Sequence, residues 1–168
     1  MQLQSIDKAT YRQRLNKLIG GCVVLFATLG IGLSALLIDW FGAEQGQNFW
    51  WNVTGVAIAV FVVGSLLQHC RKQDWCREID YVWTLKHELN LITRKFRALK
   101  AAAKQNDRDA LIVLLFSYEG SKQLWLLDDN DLNLAELNQD LALLQAQIAS
   151  LPFSVELGDY HRDLLNKF

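Results

Sequence analysis

Four side chains that commonly ligate metals lie near the middle of the chain: His69, Cys70, Cys76 and His87. Zinc sites usually take their ligands as pairs two to four residues apart, whereas successive candidates here are separated by one, six and eleven positions. On a single helix His69, Cys76 and His87 would share one face but spread over roughly 27 Å, at about 1.5 Å per residue. Because one ion cannot reach across that distance, we predict no metal site.

A second candidate metal site is acidic and resembles a calcium-binding loop. Asp129, Asp131, Asn133 and Asp140 fit positions 1, 3, 5 and 12 of such a loop. The glycine that the loop requires at position 6 is replaced by Leu134. Leu134 also belongs to a leucine pattern that predicts a helix, and one residue cannot satisfy both structures. We therefore predict a helix here and no calcium site.

Motifs for nucleotide binding or covalent catalysis do not occur in the sequence. There is no Gly-rich phosphate loop, no Gly-x-Ser-x-Gly elbow and no His-Glu-x-x-His pattern. We predict no catalytic, cofactor-binding or metal-ligating residues, and a protein that is not an enzyme. One alternative stays open, a membrane-bound enzyme with a buried site between helices that gathers Asp80, His87 or Glu88.

Two charge-free apolar runs are the main elements of the first half of the chain. The 21 positions at 18–38 would span about 31 Å as a helix, close to the roughly 30 Å of a hydrocarbon core. The second run has its apolar part at 50–67. We predict transmembrane helices at about 18–38 and 50–67. The alternatives, a cleaved signal peptide or core helices of a soluble protein, fit the length and flanks of the runs less well.

The charges around the two runs indicate an orientation. Basic residues lie on both outer flanks, whereas the loop at 39–49 contains no Lys or Arg. Because basic flanks stay on the cytoplasmic side, we predict that both termini are cytoplasmic and that the loop lies on the other side. The flanking residues are Lys8, Arg12, Arg14 and Lys17 before the first run and Arg71, Lys72, Arg77 and Lys86 after the second.

The runs also contain small residues at four-residue spacing. Such spacing lets two membrane helices approach closely, and a packing role is one interpretation. The other is that Gly and Ser are simply frequent in membrane helices. The pairs are Thr28/Gly32, Gly30/Ser34 and Gly55/Ala59.

Residues 71–168 show helical periodicity. Apolar residues recur every seven positions from Trp75 to Lys104, which predicts a helix that could continue from the second membrane run as one rod. Residues 110–116 are apolar on all sides, so we place a helix at about 108–127, capped by Asn106 or Asp107, at the centre of the domain. A buried strand is the rival interpretation of that run, and we expect Gly120 to interrupt the helix.

Beyond residue 131 the pattern predicts one long helix and one short one. Asn133 and Glu136 resemble a capping pair, and Pro152 ends the long helix. A last short helix is expected from Gly158 to Phe168. The apolar face of the long helix consists of Leu134, Leu137, Leu141, Leu144, Ile148 and Leu151.

These elements together define an all-α fold class. A cytoplasmic lead at 1–17 precedes a two-helix transmembrane hairpin at 18–67. A cytoplasmic helical domain follows at 71–168, in which an antiparallel three-helix bundle is completed by the short C-terminal helix.

Charge is distributed unevenly, although the net charge is only −1. Between residues 109 and 163 there are ten acidic side chains and only Lys122 and Arg162 as basic ones. We predict pairing between neighbouring helices, each exposed pair being worth less than about 1 kcal/mol. A block of basic residues precedes this acidic region: Arg94, Lys95, Arg97, Lys100, Lys104 and Arg108.

Nucleic acid is not an expected partner, because no stacking aromatic residues and no binding motif accompany this basic block.

The N-terminal pattern Ile6-Asp7-Lys8-x-x-Tyr11-Arg12-x-Arg14-Leu15-Asn16, the two membrane runs and the helical tail together resemble a bacterial family, domain of unknown function 3087 (DUF3087). The resemblance covers nearly the whole chain. It implies a protein of the bacterial inner membrane with a cytoplasmic helical domain. Together with the orientation predicted above, this makes the protein multi-pass, with the loop at 39–49 in the periplasm. The resemblance brings no activity and no catalytic residues.

Heptad spacing without site chemistry favours an interaction protein. We expect a non-enzymatic integral inner-membrane protein whose cytoplasmic helical domain mediates protein–protein interaction or self-association. The alternative is an accessory subunit of a transporter or envelope enzyme that acts through the membrane hairpin. The expected partners are the lipid bilayer and either an unknown protein or a second copy of the chain. No nucleic acid, cofactor or small-molecule substrate is expected.

Overall fold

The protein is described by a computed structural model that covers residues 1–42, 48–130 and 132–168. Over these residues the chain is all-helical and contains no strand, which confirms the predicted class. The rival strand at 110–116 is wrong, since α5 covers it. Residues 43–47 of the predicted loop at 39–49, and Asp131 of the calcium pattern, lie outside the described residues. The helices are α1 Lys8–Phe41, α2 Phe49–Cys70, α3 Arg77–Arg94, α4 Phe96–Ala103, α5 Arg108–Asp128 and α6 Leu134–Ala149, with 3-10 turns at Asp74–Cys76, Leu157–Asp159 and Arg162–Lys167.

The chain divides into two compact units. The apolar unit comprises Ala9–Asp80 and contains α2 and nearly all of α1. The helical unit combines Met1–Lys8 with Tyr81–Phe168. The first eight residues therefore belong with the C-terminal half of the sequence.

Helices α1 and α2 are long and apolar enough to cross a membrane. Only 11% and 17% of their most apolar windows are buried. The core helix of a soluble protein would be mostly covered by other parts of the chain. Helix α1 also starts well before the apolar run at 18–38, so most of the basic lead is helical.

The two apolar helices meet through small residues. A Cβ atom on Gly55 would lie 2.5 Å from Ser34 Oγ and 2.6 Å from the Ser34 backbone nitrogen. Ser34 Oγ also donates a hydrogen bond to the Asn52 carbonyl over 3.3 Å. Gly30, Ser34 and Gly55 are buried at this contact, and Ala59 is buried further along α2. A side chain at position 55 would separate the helices, so the small residues at positions 30, 34 and 55 have the packing role.

The Thr28/Gly32 pair has a different environment. Thr28 Oγ1 donates to carbonyls of its own helix, those of Val24 and Leu25. A Cβ atom on Gly32 would meet nothing within 4 Å. The packing interpretation is therefore wrong for this pair within the chain.

The chain does not run from α2 into the next helix as one rod, which corrects the prediction. Helix α2 ends at Cys70, and the Arg71 and Lys72 amides close its last turn on the Leu67 and His69 carbonyls. The residues at 71–74 are all polar and have no apolar face to bury, so packing does not keep this stretch helical.

The predicted seam from Trp75 to Lys104 is also interrupted. Lys95 separates α3 from α4, and Trp75 remains 42% exposed. The seam residues that do bury their side chains lie within α3 and α4: Val82, Leu85, Leu89, Ile92, Leu99 and Ala103.

Helix α5 forms the core of the helical unit. Every residue at 110–118 is buried, and the helix packs against both α4 and α6. The Asp107 carboxylate accepts a hydrogen bond from the Ala110 amide over 3.1 Å, which confirms Asp107 as the N-cap.

Gly120 does not interrupt α5, contrary to the prediction. A Cβ atom there would lie 3.2 Å from a methyl carbon of Leu85 and 3.3 Å from one of Leu89. The glycine gives α3 room to pack closely against α5, and this contact compensates for its low helix propensity.

Helix α6 follows the predicted leucine pattern, with Leu137, Leu141 and Leu144 buried. The predicted capping pair is wrong, because Asn133 is the N-cap residue but makes no side-chain cap hydrogen bond. Beyond Pro152 the structure has two 3-10 turns instead of one short helix. We call residues 157–168 the C-terminal strap.

Candidate functional site

Glu88 on α3 is the one charged side chain that is buried among the described residues, with an exposed fraction of 2%. It lies one helical turn from both Leu85 and Ile92, so it points toward the core-facing side of α3. A carboxylate removed from water costs considerable free energy unless donors and a counter-charge surround it. The partners of Glu88 therefore define the site.

Both side-chain partners of Glu88 come from the C-terminal strap. The Tyr160 hydroxyl donates to Glu88 Oε1 over 2.7 Å. Arg162 Nε donates to Oε1 over 3.2 Å and to Oε2 over 3.1 Å, and Arg162 Nη2 also donates to Oε2. The Arg162 side chain is 58% exposed, so the guanidinium closes the site from the solvent side.

Aromatic stacking fixes the tyrosine of the strap. The Tyr160 ring lies parallel to that of Phe116 on α5, with centroids 3.8 Å apart and planes inclined by 11°. Both rings are buried. Tyr160 thus combines an apolar contact on its face with a polar contact at its tip.

Further polar contacts hold the two ends of the strap. Lys167 Nζ lies 2.7 Å from Asp107 Oδ2 and 2.9 Å from Asp109 Oδ2, so it clamps the strap to the start of α5. The remaining contacts are Lys95 Nζ donating to the Leu165 carbonyl over 2.7 Å and Arg108 Nη2 donating to Asp159 Oδ2 over 2.6 Å.

The pKa shifts describe a carboxylate that stays ionised. Burial alone would raise the pKa of Glu88, but hydrogen bonds from Arg162 and Tyr160 and the guanidinium charge lower it below its ordinary value. Burial and the Glu88 carboxylate raise the pKa of Tyr160, so the hydroxyl remains a donor. Because donors occupy both oxygens of Glu88, the arrangement suits a clamp for a chain segment better than a general base.

A second polar cluster holds the N-terminal residues in the helical unit. The Tyr81 hydroxyl accepts from the Gln4 amide over 2.9 Å and donates to Gln123 Oε1 over 2.8 Å, while Gln123 Nε2 donates to the Gln4 carbonyl. Lys8 forms an ion pair with Asp129. The first eight residues of the lead at 1–17 are therefore a structural component of this unit.

A shallow cleft between α4, α5 and α6 contains the third cluster. The Tyr118 hydroxyl donates to Asp140 Oδ2 over 3.3 Å, and Lys100 Nζ lies 3.5 Å from the same oxygen. Burial and the Asp140 charge raise the pKa of Tyr118 to about 12. The cleft has a volume of about 190 Å³, below the roughly 300–1,000 Å³ typical of small-molecule sites.

The four candidate metal ligands are not gathered at one site, although Cys70 lies beside Cys76. Among the described residues, no group of three or more His, Cys, Asp or Glu side chains could hold an ion. Burial and the neighbouring Cys70 thiol raise the pKa of Cys76, which keeps it in the thiol form. His69 lies within 3.3 Å of Gln73 Nε2, whereas His87 belongs to the other unit.

Of the residues named for the alternative of an enzyme site, Glu88 is buried and pairs with the strap. Asp80 pairs with Arg71 over 2.7 Å in the apolar unit. Pairing of the basic block with later acidic residues is confirmed for Lys100 with Asp140 and for Arg108 with Asp159.

Comparison with known families covers almost all of these residues. The family model described as a protein of unknown function, DUF3087, matches residues 1–165. The chain belongs to this family. The predicted membership is confirmed, and the matched region includes Tyr160 and Arg162 of the strap. No curated protein and no solved structure matches the chain.

The role of Glu88 was missed from the sequence, where it was considered only as a possible catalytic acid. One signal was present: an acidic residue directly beside Leu89, within the apolar spacing of α3. Its partners lie 72 and 74 positions away, and no local pattern connects them.

Proposed function

We propose that this chain is a non-enzymatic integral inner-membrane protein whose cytoplasmic helical unit mediates protein–protein interaction or self-association. The observation that carries the proposal is that α1 and α2 have membrane length and leave most of their apolar surface uncovered. The helical unit adds a second argument, because its buried carboxylate holds a peptide segment. A surface that binds a separate segment of its own chain through charged, aromatic and backbone groups has the chemistry needed to bind protein.

The proposal includes a transmembrane hairpin with both termini in the cytoplasm. The basic flanks support this orientation. Exposed aromatic side chains lie where α1 and α2 meet the loop between them, namely Trp40, Phe41 and Trp50. Such side chains suit the headgroup layer of a membrane. Phe41 also stacks on Trp51 with ring centroids 5.2 Å apart.

Reporter fusions test the orientation in living cells. Alkaline phosphatase inserted after residue 45 should be active, because it would reach the periplasm. The same enzyme fused after residue 168 should be inactive, whereas a fluorescent protein fused there should fluoresce. The reverse pattern would contradict the orientation, and activity at both positions would contradict the hairpin.

For the helical unit we propose an antiparallel bundle of α3–α4, α5 and α6 around the buried centre of α5. The contacts of α5 with α4 and α6 and the close approach of Leu85 to Gly120 support this arrangement.

Crosslinking in the membrane tests the interaction. Two differently tagged full-length copies are co-expressed, crosslinked and purified through one tag, and the captured proteins are identified. We expect either the second copy or one reproducible partner, lost when residues 81–168 are removed. Capture that survives this deletion would contradict a role of the helical unit.

The accessory-subunit function is a second candidate, and one observation favours it. Gly20, Gly21, Gly32 and Gly64 of α1 and α2 have open space where a Cβ atom would be, and small residues on an exposed membrane helix let another helix approach. Replacing 18–67 by an unrelated hairpin separates the candidates. Partner capture should survive this replacement if the helical unit binds, and should be lost if the hairpin does.

A further inference from the structure

Two cysteines lie side by side where the chain leaves α2. Cys70 is the last residue of α2, and Cys76 is the last residue of the 3-10 turn that follows. The two side chains share a hydrogen bond between their sulfur atoms. Both are free thiols, as is Cys22 within α1. Two thiols in contact are the starting arrangement for a disulfide.

The backbone between these cysteines is held in a defined conformation. The Gln73 amide donates a hydrogen bond to the Cys70 carbonyl over 3.0 Å. The Cys76 amide in turn donates to the Gln73 carbonyl over 2.9 Å. Two successive hydrogen-bonded turns therefore connect the first cysteine to the second.

Two arginines fix the same segment through contacts that do not involve the thiols. Arg71, the residue after the first cysteine, pairs with Asp80 over 2.7 Å. Arg14 of α1 donates to the carbonyl of Trp75, the residue before the second cysteine, over 3.1 Å. All of these residues belong to the apolar unit. The fold of that unit thus sets the position of both cysteines.

The two thiols differ in their access to solvent. Cys76 is 1% exposed, whereas Cys70 is partly exposed. Burial and the neighbouring Cys70 raise the pKa of Cys76, so Cys76 is the protonated donor of the shared hydrogen bond and the Cys70 sulfur is the acceptor. A small oxidant in the solvent therefore meets Cys70 first. Cys76 lies behind it as the thiol that can close a disulfide.

We propose that Cys70 and Cys76 form a reversible disulfide when the protein encounters a peroxide. The inference goes beyond the proposed interaction and does not depend on it. On the cytoplasmic side of the membrane thiols are kept reduced, so this bond would form only while the oxidant is present. It would join the last residue of α2 to the residue directly before α3 and fix the conformation of the segment 71–75.

The reaction proceeds in two balanced steps. The Cys70 sulfur forms a bond to one oxygen of hydrogen peroxide while the O–O bond breaks, which gives a sulfenic acid and one water. The Cys76 sulfur then displaces the hydroxyl group from Cys70. The S–S bond forms, and the thiol proton of Cys76 leaves with the hydroxyl as a second water. A small dithiol reverses the reaction by exchange.

Peptide analysis of the full-length protein in membranes tests the proposal. Trypsin cleaves after Arg71 and Lys72, so it places the two cysteines on different peptides, and the short peptide 73–77 carries only Cys76. Cys22→Ser is the starting variant, because Cys22 would otherwise share a tryptic peptide with Cys70. Membranes are treated with hydrogen peroxide, denatured, alkylated and digested. The alkylated form of peptide 73–77 should fall several-fold, and reduction with dithiothreitol before alkylation should restore it.

A matched pair of variants in the Cys22→Ser background separates the two roles. In Cys70→Ser, peroxide should leave peptide 73–77 fully alkylated, because Cys76 is buried and has lost its partner. In Cys76→Ser, the sulfenic acid on Cys70 has no thiol to close it. Labelling of that variant with a dimedone-type probe should therefore exceed labelling of the starting variant several-fold. Unchanged circular dichroism shows that each variant is folded.

Two results would overturn the disulfide. One is peptide 73–77 that stays fully alkylated after peroxide treatment of the Cys22→Ser protein. The other is equal depletion of this peptide in Cys70→Ser, which would show that Cys76 is oxidised without Cys70. Non-reducing electrophoresis completes the test, since the bond within one chain leaves a monomer. A disulfide-linked dimer as the main product would also contradict the proposal.

Discussion

Helix α5 and the pair α1–α2 are both rich in apolar residues, but different surroundings cover them. In α5 every residue at 110–118 is buried by other parts of the helical unit. In α1 and α2 only 11% and 17% of the most apolar windows are buried. The difference lies in the neighbours, since α5 is flanked by α4 and α6, each with an apolar face.

The comparison shows that an apolar helix does not by itself specify what covers it. Protein covers α5 because amphipathic helices follow and precede it in the chain. Helices α1 and α2 cover one another along a narrow stripe of small residues and leave the rest for lipid in the proposed function. Gly55 and Gly120 illustrate the shared element, since each permits a close helix contact in its own unit.

The sharpest test of the comparison replaces one phenylalanine in each region. Phe116→Ala should destabilise the helical unit by about 4 kcal/mol, because it removes a fully buried ring and leaves a cavity under Tyr160. Phe61 is 75% exposed, so Phe61→Ala should change stability by less than about 0.5 kcal/mol. Chemical unfolding in detergent measures the change in stability for both variants. Hydrogen exchange of α5 gives a second measurement for the helical unit. Similar losses of stability in the two variants would contradict the conclusion that protein buries Phe116 and leaves Phe61 uncovered.

A second test concerns the stripe between α1 and α2. Gly55→Leu should weaken the helix contact by about 3 kcal/mol, because even its Cβ atom would overlap the Ser34 backbone. Gly64→Leu is the matched control, since nothing lies within 4 Å of a Cβ atom at that position. Titration with a denaturing detergent, followed by fluorescence, reports the loss. If Gly64→Leu were as disruptive as Gly55→Leu, the contact of Gly55 with Ser34 would not be the one that holds α1 and α2 together.

The third test uses pH, because the helical unit buries a carboxylate. The pKa of Glu88 is lower in the folded protein than in the unfolded chain, so its contribution to stability is present above about pH 4.3 and is lost as the pH falls through the folded value. The strap should therefore loosen as the pH falls from the unfolded value of the Glu88 pKa through the lower folded one, seen as faster hydrogen exchange at 157–168. Glu88→Gln should exchange faster at neutral pH and show a weaker dependence; the part that remains comes from Asp107, whose pKa is also lowered and which pairs with Lys167. A dependence of full size in Glu88→Gln would assign the whole effect to another group.

The smallest expected change in stability comes from the N-terminal caps of α5 and α6, which differ in their side-chain hydrogen bonds. Asp107→Ala should cost about 1 kcal/mol, because the side chain accepts a hydrogen bond from the Ala110 amide. Asn133→Ala should cost less than about half of that, because Asn133 makes no side-chain cap hydrogen bond. Paired denaturant titrations resolve the difference. A larger loss from Asn133→Ala would show that the start of α6 has been misassigned.

Much of the fold followed from local patterns. The apolar stretch at 110–116, the Asp107 cap and the leucines of α6 were predictable because each depends on neighbours within a few turns of helix. The break after Cys70 was missed because the seven-residue spacing continued through polar residues that bury nothing. Gly120 was misinterpreted because helix propensity does not include the methyl groups of α3 that lie against it.

The functional site was much less predictable than the fold. Glu88 was visible as an acidic residue in a helical pattern, but its meaning depends on Tyr160 and Arg162, which the chain brings back after three further helices. The attachment of Gln4 to Tyr81 and Gln123 is similar, since these partners lie 77 and 119 positions further along the chain.

The amino-acid sequence by itself determined the helical class, the two runs of membrane length and the family. It did so because residue type and spacing act within one helix, over distances set by the helical repeat. The tertiary structure alone decided that the N-terminal residues and the strap belong to the helical unit, and that Glu88 is buried rather than exposed. A buried charge acquires its role from whichever groups compensate it, and these can come from any position in the chain.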